Sequence, residues 1–131
     1  MTPFEVFKKE IYYWIEYFGL KEYEVYVEKS AEKDSDAIST AQIQHEASIV
    51  MITMYSEFFK ERMPFFYIRR YAFHEVAEVL LSTVADLITN KEKMKKEREA
   101  THRIIGRLEN TLFVDSYKRR FKRIPKAEEH S

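Results

Sequence analysis

Phe73-His74-Glu75-Val76-Ala77-Glu78-Val79-Leu80-Leu81 is the stretch on which the reading of this chain turns. It matches the metal-binding helix pattern H-E-x-x-H except at the last position, where Glu78 replaces the second histidine. Residues four apart share one face of a helix, so His74 and Glu78 can grip a single ion. Glu75 stands beside them, where a general base would reach water activated by that ion. The surroundings are those of a core helix. Ile68, Ala72, Val76, Val79, Leu80, Val84, Leu87 and Ile88 recur at helical spacing between residues 65 and 89. Charged groups in so apolar a helix are costly unless paired or metal-bound. The plainer reading pairs His74 with Glu78 as an ordinary contact one turn apart and leaves Glu75 solvated.

Downstream, residues 90–96 form a charged break, and a last helix spans about residues 97–115 with Ile104, Ile105, Leu108, Leu112 and Phe113 facing inward. A connection of about ten residues lets that helix return antiparallel to the motif helix and present His102. A catalytic zinc site needs three protein ligands and an open position. His74, Glu78 and His102 supply two imidazoles and one carboxylate, which keeps water activation by Zn²⁺ plausible, although iron, manganese or nickel would also suit such donors. Glu99, three residues before His102, is placed to accept its second ring N–H or to act as a fourth ligand. Glu109, two turns beyond His102 on nearly the same face, is another candidate for that outer contact.

Upstream, Thr2-Pro3 caps a helix carrying Phe4, Phe7, Ile11, Trp14, Ile15 and Phe18, which ends near Gly19. The period then shortens to two. Tyr23, Val25 and Val27 mark a half-buried strand, residues 29–36 a loop, residues 38–44 a second strand and residues 48–55 a third. His45-Glu46-Ala47 makes the tight joint of an antiparallel hairpin. Residues 57–63 read as a loop or short helix. The expected fold is α+β: an N-terminal helix, a three-stranded, mostly antiparallel sheet, the motif helix and a closing C-terminal helix. These fill one domain over residues 1–115, followed by a basic, flexible tail over residues 116–131.

Composition narrows the function. The 131 residues are 45% hydrophobic and 34% charged, enough for one modest core. Net charge is zero, which argues against a whole-molecule nucleic-acid binder, so nucleic acid is expected only through the run Lys118, Arg119, Arg120, Lys122 and Arg123. There is no cysteine, so any metal site must draw on His, Asp and Glu, with four histidines available. Of these, His45 lies in the hairpin joint and is expected to face solvent, and His130 lies in a frayed terminus. No signal peptide and no membrane span are legible, which points to the cytoplasm. Ten Phe, nine Tyr and one Trp exceed what so small a core needs, and a partner surface would use the excess.

The order of elements resembles that of minimal zincin-like metallopeptidases, and more specifically the small phage-encoded zincin-like proteins. The resemblance rests on Ala72-Phe73-His74-Glu75-Val76-Ala77-Glu78-Val79-Leu80-Leu81 and on His102-Arg103-Ile104-Ile105-Gly106-Arg107-Leu108-Glu109-Asn110. It covers about residues 3–115. It implies zinc ligation by His74 and Glu78 with a third ligand on the closing helix, general-base catalysis by Glu75, a peptide or protein substrate, and a host cytoplasm. The chain departs from the family at Glu78 and at Thr101, where some relatives carry an acidic residue. An inactive interaction protein on the same fold, serving as a phage accessory or host-takeover factor, is the competing expectation.

Overall fold

The computed structural model describes residues 1–32, 37–56, 63–86, 91–122 and 124. Helix α1 (Pro3–Tyr17) starts as its sequence dictates, with the Thr2 hydroxyl accepting from the Glu5 N–H at 3.1 Å and Pro3 in the first turn. It ends where Gly19 takes a φ of 68°, a left-handed conformation that glycine adopts without strain. Leu20 N–H then closes onto the Ile15 carbonyl at 3.0 Å.

Strands β1 (Glu24–Ser30), β2 (Ser39–Gln44) and β3 (Ile49–Tyr55) follow. β2 and β3 form the expected antiparallel hairpin. The sheet as a whole is mixed, because its order is β1-β3-β2 and β1 runs parallel to β3. Successive strands do reverse direction, but β3 inserts between the other two and so lies parallel to the first. β3 is also the most apolar strand, and the central position buries it best. Val50, Ile52 and Met54 are fully buried, backed by Val25 and Val27 on one side and Ala41 and Ile43 on the other.

Helix α2 (Phe65–Asp86) carries the motif, and α3 (Lys91–Leu108), a π-helical turn (Glu109–Phe113) and α4 (Val114–Phe121) run on without interruption. The charged break expected over residues 90–96 is therefore helical from Lys91 onward. Its residues, Lys-Glu-Lys-Met-Lys-Lys, are all good helix formers, so high charge alone did not end the helix. Ile68, Ala72, Val76 and Val79 are buried as expected, together with Phe66, Phe73 and Ala77. The side chains of Val84, Leu87 and Ile88 lie outside the described residues, as do residues 57–62, 33–36, Arg123 and His130. On the last helix Ile105 and Phe113 are buried, whereas Ile104 is exposed; neighbours on a helix cannot both face inward.

The π turn sets which face of the long helix is covered. Residues 105, 109, 113 and 117 all point toward the rest of the molecule: Ile105, Phe113 and Tyr117 are buried, and the Glu109 side chain is 12% exposed. In an unbroken α-helix a four-residue step overshoots a full turn by about 40°, which accumulates to about 120° over three steps. The wider π turn absorbs part of that drift.

Trp14 is the centre of the aromatic core, edge-on to Phe73 at 4.8 Å and near Phe18 and Phe113. Phe66 in turn contacts Phe113 and Tyr117. Beside this core lies a buried charge. Glu10, 3% exposed, accepts from Trp14 Nε1 at 2.8 Å and takes a bidentate pair from Arg120 at 3.0 and 2.7 Å. Arg69 Nε approaches the same carboxylate at 3.7 Å, and the Arg120 guanidinium stacks over Tyr13 at 3.9 Å.

The boundary at residue 115 is thus displaced. Residues 116–121 form α4, with Ser116 and Tyr117 buried and Arg120 tied to α1, rather than the start of a flexible tail. Their alternation of basic and aromatic residues conceals a helical face whose apolar members fill the core. No helix among the described residues is long and apolar enough to cross a membrane.

Arg120→Ala leaves the Glu10 carboxylate buried without its main partner. A loss of about 3 kcal/mol is expected in urea unfolding, the scale for breaking a buried pair from one side. Unfolding at the wild-type midpoint would show that the clamp contributes nothing.

Candidate metal centre

His74 and Glu78 project from one face of α2, one turn apart, and the long helix brings His102 of α3 against them. Glu78 Oε1 lies 3.3 Å from His74 Nε2 and 3.2 Å from His102 Nε2. The two imidazole rings are 5.9 Å apart between centroids. One donor atom from each of the three residues can be chosen so that all lie within 4.8 Å of one another. Zn²⁺ with bonds of 2.0–2.1 Å spaces tetrahedral ligand atoms about 3.3 Å apart, so two of the three edges already match. The donor chemistry fits as well: two imidazoles and one carboxylate, partly buried, with His102 at the solvent side.

The other ring nitrogen of His74 faces Glu109, with Nδ1 3.5 Å from Oε1. Glu109 is held from behind by Arg70, whose Nε lies 3.2 Å from Oε2, and Arg70 Nη2 reaches Asn110 Oδ1 at 3.5 Å. Arg70, His74 and Glu78 therefore occupy three successive turns of one helical face. Glu109 contacts His74 rather than His102, and Glu99 is exposed on α3 with no described contact to His102. Because α3 begins earlier than expected, its phase alone does not turn Glu99 toward the site. Arg70 was not singled out in the sequence. Its spacing of four from His74 was the available signal, but a partner 39 residues away was not legible.

Glu75 is the residue whose setting is most unusual. It is 3% exposed, and its Oε2 has no hydrogen-bond partner among the described residues. With His74 it lines a cleft of about 240 Å³ whose other walls are Ala37, Ile38, Ser39 and Tyr71, so the start of edge strand β2 borders the motif. The solvated Glu75 of the plainer reading is excluded. His45 is elsewhere, packed against Tyr23 with 3.5 Å between Nδ1 and the phenol oxygen, and it is half-buried rather than exposed.

The electrostatics follow from this crowding. Burial, reinforced by the nearby Glu78 charge, pushes the Glu75 carboxyl up to about 8. Hydrogen bonds to Glu109 and then Glu78 raise His74 to about 10 against the opposing effect of burial. Burial also raises Glu78, but contacts with His74 and His102 outweigh it and hold that carboxyl below its ordinary value. No protein-family model, curated protein or solved structure matches the chain.

These directions set how the metal-free protein responds to pH. Glu75 is harder to ionise folded than unfolded, so stability falls as pH rises from 4.5 toward about 8. His74 is easier to protonate when folded, so its contribution is complete below 6.5 and is lost as pH rises through about 10. Both act in the same sense. In the presence of a chelator the melting temperature is expected to drop between pH 5.5 and 9, and Glu75→Gln is expected to flatten the lower part of that drop. A melting temperature that climbs across this interval would contradict the assignment.

Proposed function

We propose that this chain is a zincin-like metal-dependent hydrolase acting on peptides, with His74, Glu78 and His102 holding Zn²⁺ or another divalent ion. The observation that carries the reading is the meeting of two imidazoles and a carboxylate from separate helices, Glu78 and His102 being 24 residues apart in sequence. When bound, such an ion acidifies water and polarises a carbonyl. The chain's own residues supply the rest. Glu75, next to His74 on the wall of the cleft, accepts the proton of the attacking water and passes it to the leaving amine. Its burial supports that role, because a carboxyl with a pKa near neutrality is a far better base than a solvated one. The apolar and hydroxyl-bearing start of β2 lines the cleft opposite it and bounds the substrate.

A second reading has its own support. With protons in place of the ion, His74, Glu78, His102 and Glu109 make a continuous ion-pair network, the state that the raised His74 pKa favours. The fold would then serve as a small interaction protein, with Tyr12, Tyr17 and Tyr26 among the exposed aromatic residues available to a partner.

Elemental analysis of protein purified without chelator separates the two. The hydrolase reading expects one ion per chain, and excess zinc at about 100 times its Kd should stabilise the fold by about 2.7 kcal/mol. Glu75→Gln should retain the ion and lose about 100-fold or more of peptide hydrolysis, whereas His102→Ala should lose the ion. Absence of metal, together with a melting temperature indifferent to zinc, would leave the second reading.

A further inference from the structure

We infer that Arg70 and Glu109 form a positioning pair that fixes which nitrogen of His74 faces the metal position; the inference rests on the metal reading above and deepens it. An imidazole has two nitrogens, and only one can serve as a ligand while the other keeps its proton. Here the two are already sorted. Nε2 points to Glu78 and the cluster, while Nδ1 points away from it to Glu109 Oε1. A carboxylate at that distance takes the Nδ1 proton and leaves the Nε2 lone pair for the ion.

Glu109 could fulfil this role only if held in place, and both of its oxygens are assigned. Oε1 faces His74, and Oε2 receives Arg70 Nε at 3.2 Å. Arg70 stands one turn before His74 on the same helix, so clamp and ligand move as one body. The π turn completes the device. It begins at Glu109 and brings that residue round to α2, where an unbroken α-helix would carry it toward solvent. Asn110, the next residue of the turn, accepts from the same guanidinium. Three side chains and a local widening of the helix thus converge on one ring nitrogen that is not a ligand.

The test uses the full chain with zinc as the probe, read by competition titration and by imidazole ¹H–¹⁵N spectra. In zinc-loaded wild type His74 should show a protonated Nδ1 and a metallated Nε2. Glu109→Ala should weaken zinc binding about 10- to 100-fold, the usual effect of removing such a partner. Glu109→Gln should recover part of it, since the amide oxygen still accepts the proton. Zinc affinity within twofold of wild type in both variants, or a His74 metallated through Nδ1, overturns the inference. If Glu109→Ala does not fold, Arg70→Met reads the same pair: a severalfold loss of affinity supports it and an unchanged affinity overturns it. If wild type binds no zinc, the metal reading fails by itself. The metal-free spectrum then decides the Glu109 contact: an exchange-protected Nδ1–H in wild type that Glu109→Gln retains and Arg70→Met weakens supports it, and its absence from wild type overturns it.

Discussion

The buried carboxylate of Glu10 is the interaction from which the arrangement of helices follows. A charge that deep is tolerated only when it is fully paired, and the partners come from every helical layer: Trp14 from its own helix, Arg69 from α2 and Arg120 from α4. Satisfying Glu10 therefore fixes α4 against α1 and α2. With its far end fixed, the long helix can deliver Glu109 and His102 to α2 at only one angle. The candidate centre is thus held from a distance, by an ion pair that shares no atom with it.

Packing transmits that constraint. Phe73 sits on the core side of α2 and His74 on the next position round, so the ring contact between Phe73 and Trp14 orients the backbone that presents the imidazole. Phe113 touches both Trp14 and Phe73, linking the π turn to the same cluster. Side chains that are apolar and fully buried leave little room for the motif helix to rotate. A precise donor geometry needs that stiffness.

What the sequence disclosed was local. Thr2-Pro3 and Gly19 bracket α1 because capping and positive φ act within a few residues, and the alternation around Val25 and Val27 marks β1 for the same reason. The grouping of His74, Glu78 and His102 was also legible, since helical periodicity and a short connection constrain it strongly. The hidden features are all long-range. The sheet order depends on which strand buries best, not on any single strand's pattern. The Arg70–Glu109 contact and the Arg120–Glu10 clamp join residues 39 and 110 positions apart, and basic side chains near a terminus look solvated until their partners are known. The unbroken helix from Lys91 was obscured because charge was read as a stop signal where propensity favoured continuation.

The π turn over Glu109–Phe113 carries a consequence for how this chain can vary. A helix that must serve two masters, the cluster before the turn and the Glu10 clamp after it, has its residue count fixed between them. Dropping one residue there would restore plain α-helical winding and swing everything beyond it by about 100°. Arg120 would leave its carboxylate while His102 stayed in place. Length between residues 102 and 120 is therefore a phase setting, and substitutions in that interval are far easier to accommodate than insertions or deletions.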